Sequence, residues 1–246
     1  MKIDLNCDIG ESFGSYKLGE DEAVMPFITS ANLACGFHAS DPTIMQSTIR
    51  LAKKYNVAIG AHPSWPDLQG FGRREMNLSA EETKAIVLYQ IGALAAFAKA
   101  EGAELRHVKP HGALYNQAAK DILLAKAIAG AVKAFSPDLI LVGLAGSSLV
   151  QAGEEVGLHV ANEGFPDRNY NEDGTLISRK LANAIIESPG EVAMHALTLA
   201  RNGIDFSGRH IQVDTLCLHG DNTHAAENAK LIRETLGKQG VFVEAL

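Results

Sequence analysis

The stretch Leu105-Arg106-His107-Val108-Lys109-Pro110-His111-Gly112-Ala113-Leu114-Tyr115-Asn116 is a short apolar run that ends in a basic, imidazole-bearing turn. Pro110 steers Lys109 away from the helical region, so the run stays extended to its end. It reads as a β-strand that delivers Lys109 and His111 to an open end of the fold. The same grammar recurs elsewhere. Leu5-Asn6-Cys7-Asp8, Ala34-Cys35-Gly36-Phe37-His38, Ile59-Gly60-Ala61-His62 and Leu218-His219-Gly220-Asp221 each close an apolar segment with His or Asp. Several strand ends therefore converge on one polar site.

Working outward, alternation and apolar runs predict strands over residues 2–7, 28–34, 57–61, 105–108, 139–143, 158–161 and 211–218, with a last short strand at 241–243. Helix signals lie between them. Asp41-Pro42 supplies a cap and a first-turn proline, and Ser79-Ala80-Glu81-Glu82 matches a capping box that opens a long helix closed by Gly102. Further helices are predicted over 121–135, 147–156, 188–202, where Ser188-Pro189-Gly190-Glu191 is the start signal, and 222–238. Two long exit loops, 61–74 and 162–170, are rich in Gly, Pro and charge, and loops of that length are often functional. Strand and helix alternate about seven times without a linker or repeat, which argues for a parallel sheet. The fold expected is α/β: an irregular seven-stranded (β/α) barrel in a single domain spanning 1–246. A doubly wound open sheet is the alternative, but polar residues at so many separate strand ends suit a barrel mouth better.

Composition narrows the function classes. A chain of 246 residues, 46% hydrophobic and 21% charged, is ordinary for a globular protein, and it has no apolar run long enough for a membrane span. The start Met1-Lys2-Ile3-Asp4 lacks the apolar core of a secretory signal, and three cysteines (Cys7, Cys35, Cys217) suit a reducing compartment as small buried thiols. A cytoplasmic location is expected. The net charge of −7 and the absence of a basic stripe disfavour nucleic acid.

His38, His62, His111 and His219 each follow a predicted strand closely, as do Asp8 and Asp221. In a barrel all strand ends open on one face, so this set can hold a divalent metal or act as general acid and base. Asp221 has a second reading as N-cap of the last helix. Lys109, entering a barrel mouth, either loses its proton or pairs with Asp8. His107, His159, His195, His210 and His224 are assigned by default to surface or helix positions. Gly70-Phe71-Gly72-Arg73-Arg74 can present amides and a guanidinium to a carboxylate or phosphate, and Glu163, Asp167 and Arg168 form a similar cluster in the second long loop. Gly143-Leu144-Ala145-Gly146-Ser147-Ser148 lacks the lysine of a P-loop, and neither a Gly-x-Ser-x-Gly elbow nor His-Glu-x-x-His occurs.

Longer motifs carry a resemblance. Asp4-Leu5-Asn6-Cys7-Asp8-Ile9-Gly10-Glu11-Ser12-Phe13-Gly14, Ala31-Asn32-Leu33-Ala34-Cys35-Gly36-Phe37-His38-Ala39 and Gly60-Ala61-His62-Pro63-Ser64 are followed by Pro66-Asp67-Leu68-Gln69-Gly70-Phe71-Gly72-Arg73-Arg74, Val108-Lys109-Pro110-His111-Gly112-Ala113-Leu114-Tyr115-Asn116, Glu163-Gly164-Phe165-Pro166-Asp167-Arg168 and His219-Gly220-Asp221. In this order, end to end, the chain resembles the LamB/YcsF family of bacterial 5-oxoprolinase A subunits. The resemblance implies a barrel related to the carbohydrate-deacetylase fold. It also implies hydrolysis of 5-oxo-L-proline to L-glutamate with ATP as co-substrate, in company with two partner subunits of B and C type.

On that reading His111 and His219 are acid/base candidates, Asp8, His38 and His62 position water or a metal to which Asp221 also belongs, and Lys109 stabilises an oxyanion. Arg73 or Arg168, with Glu163 and Asp167, would bind the substrate. Two other readings stand beside it: a stand-alone metal-dependent deacetylase or amidase, and a non-catalytic scaffold that binds the lactam for its partners.

Overall fold

The computed structural model describes residues 1–177, 181–206, 208–218 and 224–246. Its centre is a closed ring of seven parallel strands. These are β1 (Lys2–Ile9), β2 (Ser30–Ala34), β3 (Ala58–His62), β4 (Leu105–Val108), β5 (Ile140–Leu144), β6 (His159–Gly164) and, after an antiparallel pair formed by β7 (Ile204–Phe206) and β8 (Arg209–Ile211), β9 (Thr215–Leu218). Each strand pairs with the next, and β9 closes the ring by pairing with both β6 and β1. A tail strand, β10 (Phe242–Val243), adds to the start of β1 through Lys2↔Phe242. The predicted seven-stranded barrel is the architecture found, and the open doubly wound sheet is not.

Helices wrap the ring: α1 (Asp21–Val24), α2 (Pro42–Lys54), α3 (Ala80–Ala100), α4 (Gly112–Ala118), α5 (Ile122–Phe135), α6 (Ser148–Glu155), α7 (Pro189–Asn202) and α8 (Ala225–Lys238). Their starts follow the sequence signals. The Asp41 side chain accepts from the amides of Thr43 and Ile44, and Ser79 and Glu82 satisfy each other's backbone in a full capping box, each such cap contributing about 1 kcal/mol. Pro189 sits in the first turn of α7, but the Ser188 side chain makes no cap bond.

Two elements differ from expectation. The run 211–218 is not one strand: Ile211 ends the β7–β8 hairpin, and the barrel strand starts only at Thr215. Asp214 intervenes, because its carboxylate accepts from the Asn162 amide while its carbonyl accepts from the Asp4 amide, which turns the chain into the ring. Second, α4, directly after His111, is a helix that the sequence reading does not predict before the one at 121–135. The last helix starts at Ala225, with His224 at its cap; Asp221 and the predicted start at 222 lie outside the described residues.

The apolar core lies outside the ring. Along β1 the residues Ile3, Leu5, Cys7 and Ile9 are buried among helix residues such as Ile49, Ile232 and Leu236. Side chains alternate along a strand, so Asp4, Asn6 and Asp8 point the other way, into the barrel. Among the described residues no helix is long and apolar enough to cross a membrane.

Candidate active site

Barrel interiors are usually packed with branched aliphatic side chains; this one is filled by hydrogen-bonded polar groups. At its floor, Asp4 accepts from the hydroxyls of Thr29, Ser30 and Thr215 at 2.7, 2.7 and 2.5 Å. One layer up, the Asn6 amide donates to Thr215 Oγ1 and to Glu163 Oε1, while Asn32 donates to Asn6 Oδ1 and Asp8 Oδ1. His107 Nε2 donates to Asn32 Oδ1 at 2.7 Å. Its ring fits because β3 carries Gly60 opposite it: a Cβ there would come within 2.0 Å of His107 Nε2. Burying polar groups is tolerable when they are paired, and here one connected network pairs these groups except His107 Nδ1, which has no hydrogen-bond partner.

Lys109 reaches the top layer. Its ammonium, 3% exposed, lies 2.9 Å from Asp8 Oδ1, 3.1 Å from Glu163 Oε1 and 2.8 Å from Cys217 Sγ. Burial alone would push the lysine pKa down, but Asp8, Cys217 and Glu163 together carry it well above the usual value. Lys109 is thus paired and charged rather than deprotonated. Burial pushes the Cys217 thiol up, despite the neighbouring ammonium. Tyr115 donates its hydroxyl to Glu163 Oε2 at 2.7 Å, and its own pKa is raised by burial and by that carboxylate.

Beside this ion cluster sit three imidazoles and a carboxylate. His38 comes from the turn after β2, His62 ends β3, His111 caps α4, and Glu11 follows β1. One ligand-type atom from each lies within 4.8 Å of all the others, and all four residues are buried. His62 Nδ1 donates to the Lys109 carbonyl at 2.7 Å, and His111 Nε2 donates to the Phe71 carbonyl at 2.9 Å. Their remaining nitrogens, His62 Nε2 and His111 Nδ1, face each other at 3.0 Å. A neutral imidazole carries one N–H and one lone pair, so in the neutral rings two lone pairs meet. Burial drives His38 and His111 well below the ordinary histidine pKa, reinforced for both by His62 and for His38 also by His111. Something positive between the rings resolves the conflict, either a proton or a cation.

The loop 66–74 is a strap across these histidines. The Phe71 ring meets His38 and His111 edge-on at 5.5 and 5.2 Å, and His38 stacks on His111 at 3.8 Å. Gly72, at φ +65°, passes so close that a Cβ would lie 2.2 Å from Ser64 Oγ and 2.9 Å from His111 Cδ2. Asp67 anchors the strap by accepting from the Gly70 amide and pairing with Arg74. Arg73 lies over the Phe71 ring, 5.0 Å from its centroid.

With this geometry in view, relatives give the lineage. Residues 3–246 match the profile of the LamB/YcsF family. The chain belongs to the LamB/YcsF family. Among relatives, proteins named as the A subunit of 5-oxoprolinase, from Pyrococcus furiosus and Methylococcus capsulatus, are 53% and 55% identical to it. The aligned regions cover 99% of this chain in both cases, and 97% and 95% of theirs. The crystal structure of a lactam utilization protein from Thermus thermophilus superposes with a TM-score of 0.93 at 49% identity over all of both chains. A deacetylase solved with substrate, T48, covers 98% of this chain and 86% of its own at a TM-score of 0.51 and 12% identity, which is a likeness of fold alone.

In this LamB/YcsF chain the residues singled out by sequence fall into groups. Asp8, His38, His62, Lys109, His111 and Glu163 meet at one end of the barrel. Asp167 and Arg168 lie buried in the exit loop of β6, where the Arg168 guanidinium donates to the carbonyls of Ala184 and Ile177, a bracing role for that loop. His219 and Asp221 lie outside the described residues.

Sequence reasoning passes over Glu11, Asn6, Asn32 and Tyr115, and it misplaces His107. That ring is 1% exposed inside the barrel, its pKa pushed down to about 3 by burial. The signal is the two-residue spacing: His107 and Lys109 stand on the same face of one strand, as do Asn6 and Asp8.

Proposed function

We propose that this chain is the hydrolytic component of an ATP-dependent 5-oxoprolinase that works with partner subunits of B and C type in the cytoplasm, where its three free, buried cysteines would stay reduced. Full-length identity of 53–55% to proteins named as the 5-oxoprolinase A subunit carries the reading. That those relatives are named as one lettered subunit speaks for an assembly. The absence of a P-loop sequence suits a division of labour in which the partners transfer the phosphoryl group of ATP to the lactam oxygen, and this barrel opens the activated ring.

Hydrolysis of the activated ring adds water to the phosphate-bearing carbon and breaks the C–N bond, with a proton passing to the nitrogen and a carboxyl phosphate left behind; a second water then cleaves that phosphate to give the carboxylate of glutamate and inorganic phosphate. Lys109 supplies positive charge to the oxygen that gains electron density, in a site dry enough for that charge to act strongly. Asp8, at the mouth beside Lys109, accepts the proton of the attacking water and returns it to the departing nitrogen. Both nitrogens of His111 are engaged within the cluster, so we assign it, with His62, His38 and Glu11, to holding the water. We assign Arg73, on the strap, to the substrate carboxylate. We do not assign Arg168 to the substrate, because its guanidinium braces main-chain carbonyls.

The test is to measure glutamate and ADP from 5-oxoproline and ATP with this chain alone, the partner subunits alone, and all three. Glutamate should appear only in the full mixture, and His111→Ala should lower it at least 100-fold with the circular dichroism unchanged. Near-wild-type turnover would remove His111 from the machinery. The histidine cluster favours one second reading, a stand-alone amidase; glutamate release without ATP or partners would establish that instead.

A further inference from the structure

We propose that Glu11, His38, His62 and His111 form a binding site for one divalent transition-metal ion of the zinc class. Four observations converge on this. First, His62 Nε2 and His111 Nδ1 meet at 3.0 Å with their opposite nitrogens spent on the carbonyls of Lys109 and Phe71. Anchoring the far nitrogen on a carbonyl is the usual support of a metal-bound histidine, because it fixes both tautomer and ring direction.

Second, the spacing suits a shared ion. His38 Nε2 lies 3.2 Å and His111 Nδ1 3.5 Å from Glu11 Oε1. Bonds of about 2.0–2.2 Å put neighbouring ligands of one ion about 3 to 3.5 Å apart. Third, a proton is a poorer solution. One proton serves a single donor–acceptor pair, His62 with His111 or with Asp8 at 3.4 Å, whereas four donors converge here. Fourth, three imidazoles and one carboxylate are a donor set that suits zinc, iron or nickel rather than magnesium or calcium.

The strap accounts for retention. Phe71 and Gly72 close over the cluster, and the four residues are each at most 7% exposed. A cation held there would act as a Lewis acid on a carbonyl or water oxygen, next to Lys109 and Asp8. The sequence already groups His38, His62 and His111 among strand-end residues able to hold a metal, and the resemblance set Asp221 beside His38 and His62; Glu11 is the ligand that comes from the structure.

Metal binding is read without partners, nucleotide or lactam, so it stands or falls apart from the lactam reading. The full chain, grown in zinc-supplemented medium, should carry about one equivalent of metal by elemental analysis. Stripped by chelator, it should take up Zn(II) with 1:1 stoichiometry in calorimetry and melt higher once reloaded, with Mg(II) giving no shift. Glu11→Gln keeps the shape and should weaken Zn(II) binding at least 10-fold; His62→Gln should abolish it. His210→Ala, at an exposed ion pair with Asp205, should bind as wild type. The proposal is overturned if the stripped protein binds none of Zn(II), Mn(II), Fe(II) or Ni(II), or if Glu11→Gln and His62→Gln, both folded by circular dichroism, bind as tightly as wild type.

Discussion

The ring of His107 occupies the volume that a side chain on Gly60 would need: a Cβ there would stand 2.0 Å from Nε2 and 2.2 Å from Cδ2. The ring cannot step aside without giving up its 2.7 Å bond to Asn32, which in turn orients Asp8. Gly60→Ala should therefore destabilise the protein by about 1–3 kcal/mol, the usual range for overpacking, and disturb the network above it. A urea midpoint equal to wild type would show that the interior yields more easily than this.

His107 also makes a pH prediction. Its folded pKa is about 3 against about 6.5 unfolded, so the native state refuses a proton that the unfolded chain accepts. The stability from its neutral burial is fully present above pH 6.5 and is lost as pH falls toward 3, with a slope of about 1.4 kcal/mol per unit for one proton. His107→Gln should flatten the fall in unfolding free energy between pH 7 and 5 by one proton's worth. Parallel curves for the two proteins would contradict the assignment.

Asp21 should behave with the opposite sign. Burial raises it from 3.8 to about 6, although it accepts from the Gly10 amide. Stability linked to this group is greatest below pH 3.8 and declines as pH rises through 6. Asp21→Asn keeps an acceptor for Gly10 without the buried charge, so its Tm should exceed wild type at pH 7.5, and the gain should shrink toward zero near pH 4. A gain that is constant with pH would point to a cause other than ionisation.

Removing the ammonium of Lys109 leaves Asp8 and Glu163 buried without their shared counter-charge. Breaking one side of such a cluster typically costs about 3–5 kcal/mol. Lys109→Met should show a loss on that order in chemical denaturation and no measurable glutamate formation in the reconstituted mixture. A variant as stable as wild type would show that the two carboxylates do not depend on this ammonium.

On the strap, Gly72→Ala places a methyl group against Ser64 and His111 at a backbone angle of +65° that disfavours side chains. The expected result is at least a 10-fold loss of reconstituted turnover with an intact far-ultraviolet circular dichroism spectrum. Wild-type kinetics would show that the strap need not sit against the histidines.

Much of this architecture is legible in the sequence because strand ends announce themselves. Asp8, His62 and Lys109 each close an apolar run, and Pro110 marks where β4 stops, so the ring and its polar mouth follow from local pattern. What local pattern cannot show is which way the barrel faces inward. Asp4, Asn6 and His107 look like solvent-facing positions on a half-buried strand; only ring closure turns that face into an interior. Glu11 escapes notice because it lies beyond the strand in a turn, where a glutamate is ordinarily just solvated. The break at Asp214 is invisible locally since it depends on a long-range bond to Asn162 that no window of sequence contains.

The first strand of the ring is sealed by segments synthesised more than 200 residues later, β9 against Asp4–Cys7 and β10 against Lys2 and Ile3. At about 5–20 residues per second, β1 waits roughly 10–50 s on the ribosome with one edge open, its Asp4, Asn6 and Asp8 facing a barrel not yet closed. A nascent chain stalled before residue 215 cannot complete the ring, and Lys109 in such a chain has Asp8 and Glu163 on strands with no seam between them. Completion of the polar centre thus waits on synthesis of β9, which makes products truncated before it candidates for early recognition by chaperones and proteases.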